Sequence, residues 1–243
     1  MKQTKQKIIL FFLLFALAFV LFKNYQEKQQ PPLLIDETIL KLSSKDRIII
    51  LAPHPDDEIL ACGGIIQKTL SKKIPIKIVF LTYGDNNQWS FLTYKKHFVF
   101  MPKSVQTMGL VRYQEAVNAA QKLGVKKENL IFLGYPDFRT MDIWLSHWGK
   151  NRPPIKGILT KAKQVPYQNA YRPQASYKGE DILEDIANII QEFKPTKIFV
   201  SHPADHNLDH RALYLFTRVA LWNLEDTLKL KPKIYPYPIH FQK

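Results

Sequence analysis

A single cysteine, Cys62, stands among 243 residues, so the chain can form no internal disulfide and no Cys-rich zinc finger. Acidic residues are scarce beside basic ones, 21 against 35, which leaves a formal net charge of +14. That charge is scattered along the flanks of apolar segments, and helix-turn-helix, zinc-finger and aromatic-basic RNA signatures are missing. Nucleic acid is therefore not an expected partner. A basic surface facing an anionic membrane or cell-envelope polymer fits the charge better. No internal repeat is present, and the longest apolar run, residues 8–22, is 15 residues, short of the ~20 that a bilayer-spanning helix needs.

What is present points to a packed protein. A hydrophobic content of 46% with 12% aromatics excludes a disordered chain, and the length suits one α/β domain with an appendage. The appendage is the amino terminus. Lys2, Lys5 and Lys7 precede the apolar run, the arrangement of an export signal. Ala16-Leu17-Ala18 has the composition of a cleavage site but lies inside the run. We expect an uncleaved signal anchor over residues 1–22, with the amino terminus in the cytoplasm and the rest of the chain outside it. Residues 23–45, which include Pro31-Pro32, read as a linker, and 46–243 as a single folded domain.

In that domain strands and helices alternate. Strands are expected at 47–52, 76–82, 129–133 and 196–201, and helices at 57–71, 110–123, 180–193 and 209–224. This rhythm predicts a mostly parallel sheet with helices on both faces. The stretch 138–179, rich in Trp, Pro, Tyr and Lys, breaks the rhythm and is expected to be a substrate-side insertion. The last residues, from Tyr235, read as an edge strand.

Two strand ends carry the chemistry. The first runs into His54-Pro55-Asp56-Asp57-Glu58, the second into His202, Asp205, His206, Asp209 and His210. Parallel strands deliver such residues to one carboxyl edge, where open α/β folds bind ligands. His and Asp together suit a borderline divalent cation with a spare carboxylate beside it. An Asp56–Asp57 pair serving only as a helix cap would leave one carboxylate repelling the other. Arg112 and Glu115 also fit a surface ion pair, and Asp85 fits a turn.

Ala52-Pro53-His54-Pro55-Asp56-Asp57-Glu58 with Gly63-Gly64 resembles the LmbE-like (PIG-L) N-acetylglucosaminyl deacetylase family. So do Leu81-Thr82-Tyr83-Gly84-Asp85, Arg112-Tyr113-Gln114-Glu115, Leu123-Gly124-Val125, Leu133-Gly134-Tyr135-Pro136-Asp137 and Asp209-His210-Arg211-Ala212. The resemblance implies a Rossmann-like fold and hydrolysis of an N-acetyl group from an amino sugar or glycoconjugate. It implies a divalent cofactor, Zn2+ or alternatively Fe2+, with His54, Asp57 and His210 as ligands. Asp56 would be the general base that activates the metal's water, and Arg112 and Asp137 substrate contacts. The family's usual distal motif, His-x-Asp-His, has Asn207 here at its first position. Asn207 can donate a hydrogen bond but not a proton, so His206 is the first candidate acid, then His240, then His202. Two alternatives stand beside this reading: a non-catalytic metal- and glycan-binding module, and a hydrolase of another amide or an ester.

Overall fold

The computed structural model describes residues 40–96, 98–228 and 231–240. The expected anchor, and the linker as far as residue 39, lie outside them. Among the described residues no helix is long and apolar enough to cross a membrane.

The run Ile48–Ala52 forms β1, buried at every position, as a central parallel strand covered on both faces must be. Strand β2 (Ile76–Thr82) and strand β4 (Lys197–Ser201) flank it, both almost wholly buried. Strand β3 (Leu130–Tyr135) lies outside β2, and β5 (Lys233–Tyr237) closes the other edge beside β4. All four pairings are parallel, in the order β3-β2-β1-β4-β5. Pro236 sits in the edge strand, where a missing N–H is tolerated.

Helix α1 (Asp57–Ser71) follows β1. Between β2 and β3 come α2 (Gln88–Lys95) and α3 (Pro102–Lys122). Then α4 (Thr140–Ser146) and α5 (Gly179–Phe193) precede β4, and α6 (Leu208–Leu228) follows it. Right-handed crossovers place α1 and α3 on one face of the sheet and α5 and α6 on the other. The strand order reverses between β1 and β4, so their carboxyl ends diverge into a crevice, the topological switch point. Both chemistry-bearing motifs emerge there.

The stretch 147–178 has no regular helix and is anchored by aromatics. Tyr167 stacks on Tyr83 with ring centroids 3.8 Å apart, Tyr177 is fully buried, and Trp144 and Trp148 pack on Phe216 of α6. These rings pack within the domain. Within the span 138–179, Phe138 alone lines the cavity described below.

Candidate metal centre and active site

Two buried hydroxyls at strand ends fix the loops that carry the site. Thr82, closing β2, donates from both its backbone N–H and its Oγ1 to the Pro53 carbonyl, at 3.1 and 3.0 Å. Ser201, closing β4, donates from Oγ to the His210 carbonyl at 2.7 Å. Asp57 accepts the His54 backbone N–H at 3.0 Å, folding the loop back so that both side chains face the crevice.

Asp57 Oδ2 then lies 3.3 Å from His54 Nδ1 and 3.2 Å from His210 Nε2. His54, Asp57 and His210 each present one ligand atom, all within 4.8 Å of one another. The far side of each ring faces a carboxylate. His54 Nε2 is 3.1 Å from Asp137 and 3.2 Å from Asp209, and His210 Nδ1 is 3.2 Å from Asp205. Carboxylates behind ligand imidazoles orient the rings and raise their basicity. Asp209 is itself fixed by the N–H groups of Phe138 (2.6 Å) and Thr140 (3.1 Å) and by the Thr140 hydroxyl. It does not cap its helix; Asn207 Oδ1 does, accepting the Asp209 N–H at 2.9 Å.

The residues fit a divalent cation on observations of their own. His210 is fully buried, yet neither ring nitrogen has an aligned hydrogen-bond partner. Burial disfavours a charged His54, but Asp137, then Asp209 and Asp57, outweigh it and raise its pKa. A site so rich in carboxylate calls for added positive charge.

Asp56 precedes α1 with φ of 121°, a region that side-chain-bearing residues avoid. Two groups hold it there. Glu58, fully buried, accepts the Asp56 N–H at 2.9 Å, and the Arg112 guanidinium donates to the Pro55 carbonyl and, at 3.1 Å, to Asp56 Oδ2. Burial pushes the Glu58 carboxyl up to about 7 against the hydrogen bonds it accepts. Partial burial also raises Asp56, opposed by Arg112. Arg112 is buried and turned inward, also donating to Ser90 Oγ at 2.9 Å; Glu115 accepts instead from the Tyr94 hydroxyl. The surface ion-pair reading of Arg112 and Glu115 is therefore not what forms. Gly84 (φ of +62°) makes room for that arginine: a Cβ there would come within 2.5 Å of Arg112 Nε. Gly84→Ala is expected to cost about 1–2 kcal/mol through the left-handed backbone alone. It should also push Arg112 off Asp56, so urea unfolding and any turnover should both fall.

The acid candidates separate. His240 lines a cavity of about 230 Å³ together with His54, Asp56, Asp57, Arg112 and Asn207, and its ring meets the His210 ring edge-on at 4.9 Å between centroids. Asp205 places it there, accepting the N–H groups of Ile239 and His240 at 3.1 Å each and that of Asn207 at 2.9 Å. Burial opposes charge on Asp205, but those N–H groups hold its carboxyl below the usual range. His206 is exposed, does not line the cavity, and donates its backbone N–H to the His240 carbonyl at 3.1 Å. His202 Nδ1 accepts the Ala204 N–H at 3.0 Å, a turn-forming role. Glu58, Asp205 and Asp209 stand in the two strand-end motifs, but sequence reasoning assigned them no individual role; their contacts to Asp56, His210 and His54 supply it.

Asp85 is buried and accepts the Tyr167 hydroxyl. Burial, with Asp137 nearby, pushes its carboxyl up to about 7 against that hydrogen bond. The folded state thus holds this proton more tightly than the unfolded chain does. Stability from this group is greatest below about pH 4 and is lost as pH rises to about 7, by about 1–4 kcal/mol. Asp85→Asn should remove that loss, so urea unfolding should show a gain near pH 8 that shrinks towards pH 5. Cys62 is buried and pushed up to about 12 by burial, an inert thiol.

The PIG-L family model, described as GlcNAc-PI de-N-acetylase, matches residues 49–221. A probable N-acetyl-alpha-D-glucosaminyl L-malate deacetylase 2 from Bacillus anthracis is 24% identical over 177 residues, 69% of this chain and 71% of that protein. Another curated relative, at 21% identity, is covered over only 26% of its length. Among solved structures, N,N'-diacetylchitobiose deacetylase from Pyrococcus horikoshii superposes with a TM-score of 0.50 at 19% identity, over 79% of this chain and 60% of that one. The 4-carboxy-2-hydroxymuconate hydratase GalB from Pseudomonas putida gives 0.51 at 16% identity, over 82% and 66%. The fold is shared with both.

Proposed function

The chain belongs to the PIG-L family, and from that premise we propose that it is a metal-dependent hydrolase that removes an N-acetyl group from an amino sugar or glycoconjugate. The observation that carries the reading is the convergence of His54, Asp57 and His210 at the switch point, with Asp56 lining a cavity beside His54 and Asp57. His54, Asp57 and His210 would hold Zn2+, or Fe2+, for which two imidazoles and a carboxylate are suitable donors. A cation held there supplies Lewis acidity to a water molecule and to the amide carbonyl.

The remaining chemistry falls to the protein's own groups. Asp56, fastened by Glu58 and Arg112, accepts a proton from the attacking water. The water oxygen bonds to the acetyl carbon and the C–N bond breaks, giving acetate and a free amine. Asn207, its Oδ1 committed to the helix cap, offers its NH2 to the carbonyl oxygen. His240 rather than His206 protonates the leaving nitrogen, because His240 lines the cavity. Arg112 and Asp137 contact the substrate from the cavity wall. A binding module would gain nothing from holding Asp56 in a strained conformation beside the ligand set. The amino-terminal run would anchor this domain on the extracytoplasmic side of a membrane.

A panel of substrates tests the class. Acetate release from N-acetylglucosamine conjugates should exceed that from N-acetyl amino acids and acetate esters in kcat/KM. Equal or faster cleavage of the esters would remove the sugar from the account while keeping the metal hydrolase.

A further inference from the structure

The mouth of the catalytic cavity carries exposed apolar side chains. Leu60, Trp89 and Phe138 line it and are 70%, 78% and 50% exposed. The patch continues along the chain from α2 to the start of α3, where Tyr94, Phe100 and Met101 are also exposed. Beneath them a small cluster of Phe91, Val99, Val105 and Met108 gives the segment its own footing. Exposed apolar surface gathered in this way marks an interaction site.

From these observations we infer that the rim is a docking surface for an anionic lipid bilayer. Trp and Tyr favour the membrane–water interface, and Lys96 and Lys103, both exposed in the same segment, can meet lipid phosphates. The net charge of +14 adds long-range attraction to an anionic leaflet. Exposed apolar residues thus continue past those that line the cavity, to Tyr94, Phe100 and Met101. Docking in this pose turns the cavity towards the bilayer, so the sugar is met at the membrane surface. This last consequence rests on the deacetylase reading; the docking surface does not.

The test is Trp fluorescence of the full chain on vesicles of brominated phosphatidylcholine, with and without phosphatidylserine. Residues 1–41 contain no Trp, so quenching by the bromine reports the folded domain and not the anchor. The expected result is quenching strengthened by phosphatidylserine, lost in Trp89→Phe and kept in Trp222→Phe, although Trp222 is 72% exposed. Absence of quenching in the parent chain would overturn the inference. So would quenching that survives Trp89→Phe and disappears in Trp222→Phe, or that ignores phosphatidylserine. None of these readouts depends on turnover.

Discussion

Asp56→Asn is expected to lower turnover by about 10²–10⁴-fold, the range for loss of a general base, while bound metal stays unchanged. The expectation follows from the separation of roles on adjacent residues. Asp57 lies between the two imidazoles, whereas the Asp56 side chain is 54% exposed and reaches Arg112 instead. Asparagine keeps the shape and the neutral part of the Arg112 contact but cannot accept a proton. Metal content and single-turnover acetate release on the same preparation separate the two effects. A variant that kept full activity would remove Asp56 from the mechanism. A variant that lost metal would show Asp56 to be a ligand.

His210→Ala is expected to weaken metal binding by more than about 100-fold, since even outer-shell partners of metal ligands are typically worth 10–100-fold. The ring is fully buried and sits on α6 behind the Ser201 hydroxyl, so truncation also leaves a cavity and lowers stability. Asp205→Asn supplies the graded control. It nearly preserves volume, leaves His210 in place, and weakens the carboxylate behind its Nδ1. We expect a 10–100-fold loss of metal affinity from it. Turnover should fall further than the metal loss alone explains, because Asp205 also fixes Ile239 and His240. Metal titration followed by kinetics at saturating metal separates the two contributions. If His210→Ala bound metal as tightly as the parent chain, the cation would lie elsewhere among these carboxylates.

The central sheet was legible because its strands are continuous apolar runs bounded by charged or turn residues. Helix α1 was legible to its ends, since Asp57 and Lys73 bracket an apolar stripe. Helix α2 was missed. Its apolar residues fall on both sides, Phe91 inward and Trp89 and Tyr94 outward, so no stripe appears in the sequence. The first two turns of α3 were missed for a related reason: only Val105, Met108 and Gly109 are buried there, among polar neighbours. Pro102 at the first helical turn was the available signal. Helix α4 is a short segment whose Trp144 packs on α6, a tertiary contact that local pattern does not reveal.

In the site, what could be read was what is local. His54, Asp56 and Asp57 lie in one motif, and His210 follows the second strand end. The position of the proposed acid, His240, was not local. It depends on the turn from Asp205 to Asn207 and on a carboxyl-terminal segment returning 34 and 35 residues later to the Asp205 carboxylate. Sequence proximity favoured His206, but the Asp205 carboxylate holds the chain so that His240 faces the cavity. Arg112 was similarly ambiguous, because an i, i+3 partner is visible in sequence and a contact to Asp56 across 56 residues is not. The role of Asp209 depends on Phe138 and Thr140, which approach it only when the crevice has formed.

Acetate release from N-acetylglucosamine conjugates by the full chain, measured before chelation, after it and after Zn2+ is restored, tests the central claim most directly. The account predicts about one metal per chain at an open three-ligand site, release that disappears with the metal, and recovery when it returns. Release that persists in the chelated protein, or a chain that binds no divalent metal, would contradict it.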